Sequence, residues 1–126
     1  DVLLRFQVKI LSLTSIREKK MKQKIGLKIK AIRQAAKITQ EVLAEGCGIS
    51  VEAVSNIERG VNYPHFETLV QITEILGCSL SDVLDDNLDK NASRKRVFEE
   101  TTLIANIKKL SDDKISMLIK VVDALK

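Results

Sequence analysis

The chain has 126 residues, of which 44% are hydrophobic, 30% charged and 3% aromatic. This composition is that of an ordinary globular domain with an aliphatic core, and one Pro with five Gly favours helices over a turn-rich sheet fold. Two cysteines and one histidine are too few for a disulfide framework or a metal site, and no apolar run reaches the roughly 18 residues of a membrane span. We therefore expect an all-α cytoplasmic protein without metal, cofactor or membrane segment.

The net charge of +4 is unevenly distributed along the chain. Residues 1–38 carry 11 Lys or Arg and two Asp or Glu, whereas residues 39–126 carry 10 Lys or Arg and 15 Asp or Glu. A basic first third can attract nucleic-acid phosphates without regard to base sequence. A solvated helix face explains the same charges equally well.

Residues 1–20 differ in pattern from the rest of the chain, because their apolar residues alternate as in a strand. No second strand is available for pairing, so the segment is interpreted as an N-terminal leader of uncertain role. It could be a strand that adds to a partner, a fused or upstream-encoded leader, or a poorly ordered stretch. Met21, where a helical pattern begins, is a candidate natural start. The alternating positions are Val2, Leu4, Phe6, Val8 and Ile10.

Residues 21–86 are predicted to form a domain of five helices. Apolar residues recur there every three or four positions, and cap residues and glycines separate the runs. The first helix carries a stripe of Ile25, Ile29, Ile32 and Ala36. The second begins near Thr39 and ends at Gly48, the third runs from Ser50 to Gly60, the fourth follows Pro64 and ends at Gly77, and the fifth runs from the capping box of Ser79 and Asp82 to Leu84.

A polar linker at residues 87–96 and a helical tail at residues 97–126 are predicted to follow. A loose stripe begins the tail, and a last helix starts after Ser111. We expect the last helix to form a dimer contact or to bind a partner protein, although it could instead fold back on its own domain. The first stripe is Phe98, Leu103, Ile107 and Leu110, and the last helix carries Ile115, Leu118, Ile119, Val122 and Leu125.

The segment 39–60, TQEVLAEGCGISVEAVSNIERG, has the residue types that two short helices joined at a steep angle require. Ala44 is small where the helices would touch, and Gly48 stands where a positive φ is expected. The remaining positions around the corner are predicted to be buried. They are Leu43, Cys47, Ile49, Val54 and Ile57.

This segment and its flanks resemble the helix-turn-helix domain of lambdoid phage repressors, Cro proteins and the xenobiotic-response-element (XRE) regulators. The similar pieces are IGLKIKAIRQ, TQEVLAEGCGIS, VSNIERG and YPHFETLVQITEILGCSLSDVL, about half of the chain. Val42, Gly46 and His65 depart from the usual pattern of the family. The resemblance implies a five-helix repressor-like domain whose third helix enters the major groove of double-stranded DNA.

The resemblance also implies roles for individual residues. Asn can pair with adenine, Glu can accept from cytosine N4, and Val can touch a thymine methyl group, so the third helix offers workable base contacts. The base-reading positions would be Ser50, Val51, Glu52, Ser55 and Asn56, and the phosphate-binding positions would be Thr39, Gln40, Arg59 and Asn62.

In the family's pattern, Arg33 and Glu58 match a structural ion pair between the first and third helices. Lys28 and Lys30 could add longer-range attraction for DNA. The two thiols, Cys47 and Cys78, stand where small apolar residues are expected, so we interpret them as inert and buried.

The sequence contains no recognisable catalytic set, and the chain is not expected to be an enzyme. The favoured interpretation is a dimeric transcriptional regulator, most simply a repressor that blocks a promoter. One alternative is the antitoxin of a toxin–antitoxin pair. Another is a helical interaction adaptor that has lost operator binding.

Overall fold

A computed structural model describes residues 1–85 and 92–126 of the chain. All regular elements within these residues are helices, which confirms the all-α fold class. No helix in these two ranges combines the length and apolar character that a membrane crossing needs. The helices are α1 (Val2–Ala35), α2 (Gln40–Cys47), α3 (Val51–Glu58), α4 (Phe66–Leu76), α5 (Leu80–Leu84), α6 (Arg94–Ile107) and α7 (Asp112–Ala124).

Of the alternatives for residues 1–20, the strand is wrong, because α1 begins at Val2 and runs without a break past Met21. A helix satisfies its own backbone hydrogen bonds, whereas a strand needs a neighbour, and the described residues provide none. Asp1 caps the helix by accepting a 3.1 Å hydrogen bond from the Leu3 N–H. Every residue from 1 to 20 is exposed.

The core forms where the second half of α1 meets α2, α3, α4 and α5. Three of the four predicted stripe residues of α1 are buried, and Ala36 is half-buried. The five expected helices are present as α1 to α5, and α2 to α5 start and end close to their predicted positions, whereas α1 begins at Val2 and not near residue 21. The buried cluster comprises Ile25, Ile29, Ile32, Leu43, Ala44, Cys47, Val54, Ile57, Leu69, Ile72, Leu76 and Val83.

The predicted tail divides into two parts. Helix α6 packs against α1, with Val97 and Thr101 buried, so the expected stripe beginning at Phe98 is out of phase with the real contact. Thr101 is buried at low cost because its hydroxyl donates to the Val97 carbonyl oxygen at 2.7 Å. Helix α7, in contrast, buries none of its residues against the described part of the chain.

The predicted linker at residues 87–96 lies partly outside the described residues, which exclude 86–91. Its last three residues are helical, because α6 begins at Arg94. Ser93 caps this helix by accepting a 3.1 Å hydrogen bond from the Arg96 N–H.

Gly26 allows α1 to approach α3 closely. A Cβ atom at this position would lie 2.2 Å from the Ile57 carbonyl oxygen and 2.7 Å from that of Glu58. These are backbone atoms of α3, so they cannot rotate away as a side chain can.

We expect Gly26→Ala to lower the free energy of unfolding by about 1–3 kcal/mol or more, since 1–3 kcal/mol is the typical cost of an overpacked core. The measurement is urea unfolding followed by circular dichroism. Gln34→Ala, an exposed position on the same helix, is the control and should unfold near the wild-type midpoint. Equal midpoints for both variants would show that the helices do not approach as described.

Candidate nucleic-acid interface

A sharp corner joins α2 to α3. Gly48 ends α2 in the left-handed conformation, with φ of 65° and ψ of 31°. A Cβ at Gly48 would meet nothing within 4 Å, so backbone conformation and not space favours glycine there. The Ile49 N–H then donates to the Ala44 carbonyl oxygen at 3.0 Å, and the Ser50 hydroxyl caps α3 by accepting from the Ala53 N–H at 3.0 Å.

The corner gives α3 one buried and one outer side. Val54, Ile57 and Glu58 are buried against the domain. The predicted base-reading residues occupy the other side and the amino end of the helix, since positions 51, 52, 55 and 56 share a face. Ser50, Val51 and Glu52 are exposed, and Ser55 and Asn56 are half-buried at its edge: this group is called the α3 outer face.

Arg59 lies alongside the α3 outer face and bonds to two of its members. Its guanidinium donates to the Ser55 hydroxyl at 3.3 Å and to the Asn56 amide oxygen. A residue assigned to phosphate contact is therefore coupled to two residues assigned to base reading. Because these hydrogen bonds are exposed to solvent, they can be exchanged for contacts with a ligand at low cost.

Below the outer face, a buried network connects the first three helices. Glu58 accepts two hydrogen bonds from Arg33, at 2.6 Å from Nε and 3.0 Å from Nη2, in a bidentate ion pair. Arg33 also donates from Nη1 to the Ile38 carbonyl oxygen at 2.9 Å, and Gln40 donates from Nε2 to Glu58 at 3.0 Å. Both charged side chains are at most 10% exposed, so their charges are compensated by each other and not by water.

Two of the predicted phosphate-binding residues, Thr39 and Gln40, already form hydrogen bonds within the protein. Gln40 directs its side-chain amide towards Glu58, although each amide nitrogen has a second hydrogen to donate. Thr39 caps α2 by accepting a 3.2 Å hydrogen bond from the Val42 N–H. The hydrogen bonds of Thr39 and Gln40 within the protein therefore fix the amino end of α2. Asn62, the last predicted phosphate-binding residue, lies exposed in the loop after α3.

The two lysines proposed for long-range attraction differ in position. Lys28 is only 5% exposed, and its ammonium group donates to the backbone carbonyl oxygen of Asp85. Lys30 is half-buried. The structure thus removes Lys28 from the exposed surface that the sequence analysis assumed.

The loop between α3 and α4 is tied to the extended part of α1, which the sequence analysis missed. Tyr63 donates from its hydroxyl to the Glu18 carbonyl oxygen at 3.2 Å, and the Lys22 ammonium lies 5.2 Å from the centre of the Tyr63 ring. Desolvation and the nearby Glu18 carboxylate raise the pKa of Tyr63, so it remains a neutral donor. The contact with Glu18 exists because α1 continues past Met21 towards Val2.

Burial raises the pKa of both thiols, and for Cys78 the Asp82 carboxylate raises it further. A raised pKa keeps a thiol protonated and unreactive at neutral pH. Within residues 1–85 and 92–126, no cluster of His, Cys, Asp or Glu side chains could hold a metal ion.

Comparison with known proteins agrees with this geometry. Residues 29–83, which make up less than half of the chain, match the helix-turn-helix family model HTH_3, and this range includes the corner between α2 and α3. A stretch of 72 residues is 35% identical to a protein of Bacillus subtilis (strain 168) described as the uncharacterized HTH-type transcriptional regulator YqaE. The match covers 57% of this chain and 58% of that protein, and no solved structure gives a significant match.

We expect Glu58→Ala to destabilise the domain by about 3–5 kcal/mol, because it leaves the Arg33 charge buried without its partner. Thermal unfolding measures the effect. Glu99→Ala removes an exposed carboxylate from a 3.8 Å pair with Lys95 and should change stability by no more than about 1 kcal/mol.

A double variant, Arg33→Met with Glu58→Leu, sharpens this test. It removes both charges and should recover much of the stability that Glu58→Ala loses. A melting temperature of Glu58→Ala equal to that of the wild type would remove the structural role of the pair.

Proposed function

We propose that this protein is a sequence-specific regulator of transcription, most simply a repressor, that binds double-stranded DNA as a dimer. The helix-turn-helix domain is that of a DNA-binding regulator. The observation that carries the finer proposal is the α3 outer face, which is turned away from the core and lies at the amino end of its helix. A cytoplasmic location and the absence of enzymatic activity are parts of the same proposal.

The chemistry of the α3 outer face suits the edges of base pairs. Asn56 offers the donor and acceptor that adenine recognises, Glu52 accepts from the amino group of cytosine, and Val51 provides an apolar contact for a thymine methyl group. Ser50 caps α3 through its hydroxyl and is also exposed at the start of this helix, where DNA could contact it. A carboxylate in this set repels phosphate, so Glu52 favours DNA sequences that place a cytosine opposite it.

Phosphate contacts would hold this face in register with the groove. Thr39 and Gln40 stand at the amino end of α2, where backbone N–H groups and the helix dipole favour anions. Arg59 lies exposed alongside the α3 outer face, and Asn62 lies exposed in the loop after α3. When DNA approaches, Arg59 can exchange its bonds to Ser55 and Asn56 for a phosphate and so release the Asn56 amide for a base.

The apolar stripe of α7 is the proposed dimer contact. Ile119, Val122 and Leu125 are 48–81% exposed, and Ile115 and Leu118 are half-buried. An exposed stripe of this kind is stabilised when a second helix covers it. Two copies joined in this way could place their α3 helices in half-sites about 34 Å apart.

The same stripe supports a second candidate function, that of an antitoxin whose tail binds a toxin. In this case the stripe would be covered by a different protein, and the free chain would be monomeric. The adaptor without operator binding predicts that DNA is not bound in a salt-dependent way.

We expect Asn56→Ala to reduce discrimination between DNA sequences by about 1–3 kcal/mol, because a base contact is lost. Gln40→Ala should weaken binding to all sequences alike, since a phosphate contact carries no base information. Selection from a random DNA library, followed by binding titrations at two salt concentrations, measures both effects.

Gln40→Ala also removes a hydrogen bond to Glu58, so its melting temperature must be measured alongside binding. Lys120→Ala, on the exposed side of α7, is the control and should change neither stability nor discrimination. Loss of the same size for every sequence in both variants would contradict the proposed division of roles.

We expect Ile119→Asp to convert the dimer to a monomer, because a carboxylate would enter the apolar contact. Sedimentation equilibrium measures the change. Lys120→Glu, which lies on the opposite side of the same helix, should leave the dimer intact. A wild-type chain that stays monomeric at high concentration would contradict the dimer contact and would favour a partner protein as the molecule that covers the stripe.

A further inference from the structure

A cavity of about 380 Å³ lies between α1, the region joining α4 to α5, and α6. Sites for small molecules typically have volumes of about 300–1,000 Å³ and combine apolar walls with a few polar groups. None of the proposed base-reading or phosphate-binding residues lines the cavity, and Lys28, which does line it, is buried and not part of the exposed surface. Its apolar wall consists of Ile32, Ala36, Leu76, Ile104 and Ala105.

Cationic groups from two helices line the same cavity. Lys28 of α1 is 5% exposed, and its ammonium group donates a hydrogen bond to the Asp85 carbonyl oxygen. Lys108 and Lys109 follow the end of α6: Lys108 bonds to the Asp82 carboxylate at 2.6 Å, and Lys109 bonds to the Ala35 carbonyl oxygen at 2.7 Å. The lining residues thus include the three lysines Lys28, Lys108 and Lys109 and the two aspartates Asp82 and Asp85.

The Asp82 carboxylate is already committed to the protein. One oxygen accepts from the Ser79 N–H at 2.9 Å in the capping box of α5, and the other accepts from Lys108. Burial tends to raise the pKa of Asp82, but the hydrogen bonds from Lys108 and Ser79 outweigh it and lower the pKa. Each ammonium group of Lys108 and Lys109, in contrast, has three protons to donate. The cavity is therefore lined by three lysines against two aspartates, and one of these two carboxylates, that of Asp82, already accepts from Lys108 and Ser79.

We propose that this cavity binds a small organic anion with an apolar body, such as a carboxylate or sulfonate. The apolar body lies against Ile32, Leu76 and Ile104, and the anionic group accepts hydrogen bonds from Lys108 and Lys109. Lys108 and Lys109 are exposed, so water screens these charge-assisted hydrogen bonds, and the apolar wall supplies the remainder of the binding free energy. The proposal does not depend on DNA binding, because the cavity and the α3 outer face share no residue.

The test uses 8-anilinonaphthalene-1-sulfonate as the anionic probe and the neutral N-phenyl-1-naphthylamine as its counterpart. Fluorescence titration of the wild-type chain should show saturable binding of one sulfonate, tighter than that of the neutral probe. Nitrogen-15 NMR locates the probe, and the largest shifts should fall on the amides of Gly77, Cys78 and Ala105. Largest shifts on α7 or residues 1–20 would overturn the proposal.

Two variants separate charge from shape. Lys109→Met should weaken binding of the sulfonate about tenfold, the loss of one charge-assisted hydrogen bond, and leave the neutral probe unchanged. Lys120→Met on α7 is the matched control and should have no effect on either probe. Equal affinities of the wild type for the two probes, or an unchanged sulfonate affinity in Lys109→Met, would contradict an anion site.

Ala105→Phe fills the cavity and should abolish binding of both probes while the protein remains folded by circular dichroism. Unchanged binding in a folded Ala105→Phe variant would place the probes elsewhere and refute the cavity. If this variant unfolds, Lys109→Met and the NMR map decide the question, since Lys109 is exposed and its replacement leaves the core intact.

Discussion

The buried ion pair between Arg33 and Glu58 is the interaction on which the relative arrangement of α1, α2 and α3 depends. It links α1 to α3 directly, and the bond from Gln40 to Glu58 brings α2 into the same network. Burial makes each charge costly without the other, so the three helices are held in one relative arrangement. The orientation of the α3 outer face is therefore set from inside the domain, while its exposed side chains can vary with little effect on the fold.

Local chemistry made the helix-turn-helix predictable. The left-handed conformation at Gly48 and the caps at Thr39 and Ser50 follow from neighbouring residues, and the structure shows all three. The pairing of Arg33 with Glu58 joins residues 25 positions apart and came from the family resemblance. Gly26 was missed because its reason is a backbone contact 31 positions away, although an isolated glycine within a helical pattern was a signal for close packing.

Two segments show where pattern analysis is insufficient. Residues 1–20 contain so many apolar residues that they fit a period of two and also helix spacing, as at Leu3, Phe6 and Ile10. The pattern alone fits both structures, and the helix forms because the described residues offer no strand with which a strand could pair. In α6 the polar Thr101 can be buried because its hydroxyl donates to the Val97 carbonyl oxygen one turn earlier, so a stripe of apolar residues alone indicated the wrong face.

The continuous α1 has a mechanical consequence. Its 34 residues make a rod roughly 50 Å long, of which the core grips the carboxyl-terminal part and Tyr63 braces a point near the middle. The amino end of α1 near Val2 therefore projects well beyond the core that holds α3. A label attached there would lie far from the α3 outer face and would leave that face accessible.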